Sequence, residues 1–261
     1  MVEDSLSPAL GAPGTAVIVT GGASGIGLAS AEALAAVGRN VALWDIDGGR
    51  ATAQAGAIAD RFGVKALPVA IDLTDIAAYP SAIDACRATL GPLGGLVHAA
   101  GIVDTGSLEG ITPQSWDAGI NTHLRPLALL TQQLYADFAA NPGSAVVGIA
   151  SINATLGNAV NPIYSAAKGG MLALIRALAD RLARDNIRIN AVSPGQVQTP
   201  MMQPAVDNLP EGWFERRILL ERLGDPAEIG RVVRFLLSNE ASYITAAELV
   251  VDGGNISSQR Q

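Results

Sequence analysis

The stretch that decides the fold is Thr15-Ala-Val-Ile-Val-Thr20 followed by Gly21-Gly-Ala-Ser-Gly-Ile-Gly27. The short apolar run predicts a buried strand, and the pattern from about Ile26 to Val37 predicts a helix after it. The three glycines at 21, 25 and 27 allow a tight turn, and the helix N-terminus offers free N–H groups and a positive dipole end. The turn therefore predicts a phosphate cradle, although an ordinary strand-to-helix turn has the same composition.

The rest of the chain continues this alternation of short apolar runs and longer amphipathic stretches. Apolar strands that alternate with helices are typical of a parallel sheet covered on both faces. We therefore predict one doubly wound α/β domain over residues 14–261, preceded by a flexible segment at 1–13. The predicted strands after the first lie at 40–45, 64–71, 96–99, 144–150, 187–192 and 248–251.

The composition excludes several classes of protein. The 261 residues carry a net charge of −7, which argues against nucleic acid as a partner because phosphate contacts need clustered Lys and Arg. Two histidines and the single Cys86 predict no metal site and no disulfide framework. No signal peptide and no apolar run of membrane-spanning length is visible, so we expect a cytoplasmic protein without membrane contact.

Asp45 ends the predicted second strand, 20 residues after Gly25. A carboxylate at this offset accepts hydrogen bonds from an adenosine ribose and repels a 2′-phosphate. Asp47 adds a second negative charge, and the glycine turn carries Ser24 where a cation for NADP would be needed. The interpretation as a ribose ligand predicts NAD as the cofactor; the alternative role for Asp45 is a helix N-cap.

A second group of polar residues follows the predicted fifth strand. Ser151 lies at its end, and Tyr164 and Lys168 stand four residues apart, on one face of a helix. Free tyrosine has a pKa of about 10, and a neighbouring ammonium favours the phenolate. Tyr164 is therefore the candidate acid/base and Ser151 the candidate ligand of the substrate oxygen, although Tyr-x-x-x-Lys alone is common.

Together these motifs resemble the short-chain dehydrogenase/reductase family over roughly residues 14 to 254. Further motifs that carry the resemblance are Asp72, Asn121, Pro194-Gly195 and Val251-Asp-Gly-Gly254. The resemblance implies a single Rossmann domain with a seven-stranded parallel sheet in the order 3-2-1-4-5-6-7. It implies that Lys168 binds the nicotinamide ribose and depresses the Tyr164 pKa. It also implies that Asn121, at a helix irregularity, holds a relay water.

The resemblance also implies a set of cofactor contacts. Asp72 would bond the adenine amino group, and Val197 would donate backbone bonds to the nicotinamide carboxamide. The whole predicted cofactor set is Gly21, Ser24, Gly25, Ile26, Gly27, Asp45, Ile46, Asp72, Leu73, Ala99, Ala100, Gly101, Tyr164, Lys168, Pro194, Gly195, Val197 and Thr199. One departure is His98-Ala99-Ala100-Gly101, where the family often has Asn-Asn-Ala-Gly. We interpret His98 as a packed or cofactor-lining residue and His123 as structural or at an interface.

The predicted substrate contacts are Ser151, Asn153, Tyr164 and Gln196. A proline-bearing segment at 196–220 predicts a lid over the site, and its apolar residues predict a pocket of mixed character. We predict an NAD-dependent oxidoreductase acting on a small secondary alcohol or ketone. The alternatives are an NADP-linked reductase of 3-oxoacyl carrier substrates and a non-catalytic dinucleotide-binding protein.

Two long Ala- and Leu-rich helices, at 112–139 and 162–183, carry more apolar residues than one buried face requires. In the family such helices pair across two-fold axes, so we predict a homotetramer.

Overall fold

The computed structural model describes residues 8–257 and contains a seven-stranded, all-parallel sheet. The strand order is β3-β2-β1-β4-β5-β6-β7, which confirms the predicted order. The strands are β1 (Ala16–Thr20), β2 (Val41–Asp45), β3 (Ala66–Ala70), β4 (Leu93–His98), β5 (Ala145–Ile149), β6 (Arg188–Pro194) and β7 (Glu248–Val251).

Helices lie on both faces of this sheet. They are α1 (Gly25–Ala35), α2 (Gly48–Phe62), α3 (Tyr79–Leu90), α4 (Pro113–His123), α5 (Arg125–Gln133), α6 (Tyr135–Ala140), α7 (Asn153–Leu156), α8 (Pro162–Ala183), α9 (Gln203–Asn208) and α10 (Pro226–Leu236). Short 3₁₀ turns lie at Ile76–Ala78, Glu215–Arg217 and Asn239–Ala241.

The central strand β1 shows why the strands are continuously apolar. Ile18 packs into one core layer with Trp44, while Val17 and Val19 pack into the opposite layer. Because successive side chains of a strand point to opposite faces, a strand buried on both faces needs apolar residues at every position. The glycine turn follows β1 at the point where the strand order reverses, which is where such sheets bind ligands.

The predicted helix over 112–139 is wrong as one element, because the structure divides this stretch into α4, α5 and α6. The breaks lie at Leu124 and Leu134. Pro126 explains the first break, since proline has no N–H and its ring conflicts with the carbonyl of residue i−4. The irregularity implied for Asn121 therefore lies three residues further on, whereas the predicted helix over 162–183 matches α8.

The segment 196–220 has structure of its own, with α9 and the 3₁₀ turn Glu215–Arg217. Gly224 pairs with Val197 in a short parallel bridge, accepting from Gln198 N at 2.8 Å and donating to Gln196 O at 2.9 Å. Residues Gln198–Pro200 and the helix α9 together line an open pocket of about 520 Å³. The segment is thus attached at both ends, and its action as a lid stays a prediction.

The described part of the predicted flexible segment is attached to the domain. The amide of Asn239 donates to Ala12 O at 3.1 Å, and the amide of Ala9 donates to Glu240 Oε1 at 2.9 Å. Residues 1–7 and 258–261 lie outside the described residues, so the prediction for 1–7 stays open. Among residues 8–257, no helix combines the length and the apolar character needed to cross a membrane.

Candidate active site

The glycine turn brings three backbone segments together at the end of β1. Gly21 and Gly25 have positive φ values of 64° and 51°. A Cβ on Gly21 would lie 2.8 Å from the Ala100 backbone, and one on Gly27 would lie 2.0 Å from Gly21 O. Ser24 is the N-cap residue of α1 but makes no side-chain cap, and the first helical turn has no acidic residue. The helix start thus suits an anion, and these residues fit a dinucleotide phosphate.

Asp45 lies beside this turn and supports it. Its Oδ2 accepts from Ala23 N at 3.0 Å, and its Oδ1 accepts from Asp47 N at 3.0 Å. Asp47 is the N-cap of α2, accepting from Arg50 N at 2.9 Å. Because Asp47 performs the capping, Asp45 is not the helix cap considered as its alternative role. The carboxylate of Asp45 therefore places negative charge against the glycine turn.

The residues predicted to surround the adenine follow β2 and β3. Asp72 is exposed, and its Oδ1 accepts from both the amide and the hydroxyl of Thr74 at 2.8 Å. These bonds from the backbone and side chain of Thr74 lower the pKa of Asp72. Ile46 is exposed, whereas Leu73 is buried. Asp72 is thus an ionised hydrogen-bond acceptor at the same sheet edge as Asp45.

Thr20 joins the end of β1 to the segment after β4. Its Oγ1 accepts from Ala99 N at 3.2 Å and from Ala100 N at 3.3 Å. It also lies 2.8 Å from Nδ1 of His98. The Thr20 hydroxyl thus joins the ends of β1 and β4, in addition to the backbone bond from Ala99 N to Thr20 O at 3.2 Å.

His98 extends this link to the broken helix. Its Nε2 lies 2.8 Å from the carbonyl oxygen of His123, which can only accept, so Nε2 carries the proton. Nδ1 is then an acceptor, and the Thr20 hydroxyl donates to it. Burial, with a smaller contribution from the Lys168 charge, lowers the pKa of His98 to about 3. His98 is therefore neutral and fully buried, in agreement with the packed role, one of the two that the sequence left open.

His123 is buried against the candidate acid/base. Its ring packs edge-to-face on the Tyr164 ring, with centroids 5.2 Å apart. Its Nε2 lies 2.7 Å from Ile102 O, and a Cβ on Gly101 would lie 2.4 Å from its Cε1. Burial, followed by the Lys168 charge, lowers its pKa to about 2. Gly101 is thus required for the close approach of a neutral imidazole.

Three of the four predicted catalytic side chains, Ser151, Tyr164 and Lys168, lie near the carboxyl end of β5; the fourth, Asn121, lies in α4. Ser151 is buried just after this strand, and Tyr164 and Lys168 lie one turn apart near the start of α8. Lys168 Nζ donates to Ile149 O at 2.5 Å and lies 5.5 Å from the centroid of the Tyr164 ring. The Ser151 and Tyr164 hydroxyls are hydrogen-bonded. The arrangement pairs two hydroxyls and places an amine beside the ring of the tyrosine.

The electrostatics of this cluster correct one prediction. Burial raises the pKa of Tyr164, and the hydrogen bond with Ser151 lowers it by less. Burial also lowers the pKa of Lys168 to about 7. The implied depression of the Tyr164 pKa by Lys168 is therefore not seen, because Lys168 loses part of its charge to the same desolvation that disfavours the phenolate.

The two other predicted substrate contacts, Asn153 and Gln196, have different surroundings in the structure. Asn153 donates its backbone N–H to Ser151 Oγ at 3.1 Å and its side-chain Nδ2 to Asn161 Oδ1 at 3.3 Å. Gln196 lines a cavity of about 100 Å³ together with Arg222 and Asp252. Its Oε1 is buried without a hydrogen-bond partner in the described part of the chain. Asn153, and not Gln196, is the predicted substrate contact that adjoins Ser151.

The predicted nicotinamide side is formed by the end of β6. Pro194 O accepts from Ile152 N at 3.1 Å, and Gly195 N donates to Val251 O at 3.0 Å. A Cβ on Gly25 would touch the Thr199 methyl at 3.4 Å, so Thr199 lies over the glycine turn. Val197 is buried in the bridge with Gly224. This segment therefore connects the phosphate cradle to the region of Ser151.

A residue without a recognisable motif also contacts the site. Asp104 accepts from the backbone N–H of Tyr164, 60 residues further along the chain. No local pattern distinguishes this aspartate from a surface one, and only the fold brings it to α8.

The doubly wound sheet, the phosphate cradle and the Ser-Tyr-Lys cluster define the class of protein, a dinucleotide-dependent oxidoreductase. The family model described as enoyl-(acyl carrier protein) reductase matches residues 21–255. The chain is 32% identical over 239 residues to the 3-oxoacyl-[acyl-carrier-protein] reductase FabG of Chlamydia muridarum, covering 92% of this chain and 96% of that protein.

Two further relatives indicate the same class of protein. The chain is 35% identical over 245 residues to the acetoacetyl-CoA reductase of Shinella zoogloeoides, covering 91% and 96% of the two chains. The L-sorbose reductase of Gluconobacter frateurii, solved with NADPH and L-sorbose, superposes with a TM-score of 0.89. It is 26% identical, with 96% of this chain and 99% of that chain covered. The chain belongs to the short-chain dehydrogenase/reductase family, whose members use a nicotinamide dinucleotide.

Proposed function

We propose that this protein interconverts a secondary alcohol and its ketone, with NAD as cofactor and Tyr164 as the general acid/base. The observation that carries the proposal is the convergence of Ser151, Tyr164 and Lys168 at the carboxyl end of β5, beside the phosphate cradle. Hydride transfer is the chemistry that the nicotinamide supplies when bound. The substrate class is a small-molecule alcohol or ketone.

The chain's own groups perform the proton chemistry. In the oxidation direction the Tyr164 oxygen takes the hydroxyl proton, while the Ser151 hydroxyl donates to the substrate oxygen. The pKa of Lys168, about 7, lets its amine change charge near neutral pH. Lys168 is thus suited to return a proton to Tyr164 or remove one, and Asn121 is proposed to hold the relay water. In the reduction direction Tyr164 donates the proton to the ketone oxygen.

The preference for NAD rests on the charge at the glycine turn. Both Asp45 oxygens are held by backbone N–H groups, so the carboxylate is fixed in place. A 2′-phosphate there would meet this negative charge and that of Asp47 in a partly desolvated site. Because the L-sorbose reductase was solved with NADPH, NADP is the cofactor against which this proposal must be measured.

We expect kcat/KM to be higher with NAD than with NADP, and Asp45→Asn to narrow that ratio by about 10-fold or more, as loss of one nearby charge repulsion requires. Asp47→Asn is the comparison variant, expected to narrow the ratio less than Asp45→Asn does, because the Asp47 carboxylate is exposed and lies 3.6 Å from Arg50 Nε. Its side-chain oxygen can still cap α2. Initial rates with both cofactors check this. A wild-type preference for NADP would contradict the interpretation of Asp45 as a ribose ligand that repels a 2′-phosphate.

A second candidate function follows from two relatives. FabG and acetoacetyl-CoA reductase are named for 3-oxoacyl thioester substrates, so a reductase of this class is the alternative. Rates on a panel of secondary alcohols and diols with NAD, and on acetoacetyl-CoA with both reduced cofactors, distinguish the two. We also propose a homotetramer, to be measured by light scattering; the cytoplasmic location stays a prediction.

A further inference from the structure

The helix that carries Tyr164 and Lys168 begins without a cap of its own. Its N-cap residue, Asn161, makes no side-chain bond to the first turn of α8, and its Oδ1 instead accepts from Asn153. The first N–H groups of any α-helix lack acceptors within the helix. Since Tyr164 is the third residue of α8, the position of this uncapped turn sets the position of the phenol.

Asp104 supplies the missing acceptors from a distant part of the chain. Its Oδ1 accepts from Tyr164 N at 2.8 Å, and its Oδ2 accepts from Ile163 N at 3.3 Å. A carboxylate at this end of a helix is also favoured by the helix dipole. The two bonds hold the backbone of the acid/base residue itself.

The loop that carries Asp104 is fixed on both sides. Before it, Ile102 O lies 2.7 Å from Nε2 of the buried His123. After it, Ser107 donates its backbone N–H to Val160 O at 3.1 Å and its hydroxyl to Ala159 O at 2.9 Å. Asp104 therefore lies between two hydrogen-bonded parts of its loop. Its carboxylate can thus hold the first turn of α8 in a fixed position.

We propose that Asp104 is a positioning residue for the acid/base, holding Tyr164 where its hydroxyl meets Ser151 and where Lys168 Nζ lies beside its ring. Asp104 acts through the backbone of Tyr164 and touches no reacting atom. The proposal rests on the proposed function of Tyr164. It adds that the reaction depends on a side chain from the β4–α4 loop.

The test compares Asp104→Ala and Asp104→Asn with a matched cap removal elsewhere. The control is Asp225→Ala, because Asp225 is an exposed N-cap of α10 that accepts from Ala227 N at 2.7 Å. Loss of either cap is expected to lower Tm by about 2–4 °C. We expect Asp104→Ala to lower kcat by about 10- to 100-fold, as misplacement of a catalytic group does. We expect Asp225→Ala to leave kcat unchanged.

A pH profile separates positioning from stability. Weakening the Tyr164–Ser151 bond removes the interaction that lowers the Tyr164 pKa, so the tyrosine-dependent limb of kcat for oxidation should move to higher pH in Asp104→Ala. Asp104→Asn keeps an acceptor for Tyr164 N and should restore most of kcat. Asp104→Asn also provides a folded variant in which only the bond from Ile163 N is weakened. The dissociation constant for NADH should be unchanged in all of these.

Wild-type kcat and an unshifted pH limb in both Asp104 variants would overturn the proposal. So would equal losses of kcat in Asp104→Ala and Asp225→Ala. Tyr164→Phe, measured in parallel, shows whether the proposed acid/base role of Tyr164 is itself wrong. If that variant turns over normally, the proposed acid/base is wrong; if it is inactive while Asp104→Ala is normal, only the role of Asp104 is wrong.

Discussion

Replacing Tyr164 with phenylalanine is expected to abolish turnover and to leave cofactor binding intact. The substitution removes only the hydroxyl, so the ring can keep its edge-to-face contact with His123 and the fold of α8 is retained. General acid–base catalysis contributes about 10²- to 10⁴-fold, so we expect kcat to fall by at least about 10²-fold.

Two measurements define the result for Tyr164→Phe. Steady-state rates give the loss of kcat, and NADH fluorescence gives the dissociation constant of the cofactor, which should change little because the phosphate cradle lies at the end of β1. Ser151→Ala is the companion variant, expected to lose less than Tyr164→Phe because Tyr164 can still transfer the proton. A Tyr164→Phe enzyme with wild-type turnover would contradict the mechanism and favour a different acid/base.

A steep loss of stability in mild acid is the second large effect that we expect. In the folded chain burial lowers the pKa of His98 to about 3 and that of His123 to about 2. In the unfolded chain both imidazoles take up a proton near pH 6.5. Between these values the unfolded state binds more protons, so the free energy of unfolding falls as the pH falls below 6.5.

The size of this effect follows from linkage. Each histidine contributes up to about 1.4 kcal/mol per pH unit well below its unfolded pKa, and integrating from pH 7 to pH 5 gives a loss of roughly 4 kcal/mol for the two together. Urea unfolding at pH 7 and at pH 5 measures the difference. Above about pH 8 both histidines are neutral in either state, so this contribution to stability no longer changes with pH.

The His98→Asn variant isolates one of the two contributions. Asparagine can offer a donor and an acceptor to Thr20 and to the His123 carbonyl, but it has no titrating group. The loss of stability between pH 7 and pH 5 should shrink by about half, since one of two histidines remains. An identical loss in wild type and His98→Asn would show that other groups carry the acid sensitivity.

The acid/base pair shows which parts of the site the sequence can predict. Tyr164 and Lys168 share a helix face because of their spacing, and the glycines at 21 and 25 do occupy positive φ in the structure. The direction of the Tyr164 pKa shift could not be predicted from spacing or from local sequence. That direction depends on how much water the fold removes from both groups, and desolvation is a property of packed neighbours.

The helix break at Leu124 could be predicted from the sequence only in part. Pro126 was a local signal for it, yet the Ala- and Leu-rich pattern favoured one long helix. Its consequence is tertiary, because the carbonyl oxygen of His123 near the break accepts a hydrogen bond from His98 at the end of β4. The segment 196–220 is similar, since its prolines indicated an irregular stretch but not the small cavity that holds Gln196.

By itself the sequence determined the alternation of apolar strands and helices, the glycine turn after β1 and the shared helix face of Tyr164 and Lys168, whereas the strand order came from the family resemblance. Each of the first three depends on local periodicity, on glycine conformations or on spacing within one helix. The tertiary structure alone decided that Asp104 caps the helix of Tyr164, that His98 and His123 are neutral links, and that Gln196 lines a cavity with Arg222 and Asp252. These features join residues that are distant along the chain, and their energies depend on burial, which exists only after the two faces of the sheet have been covered.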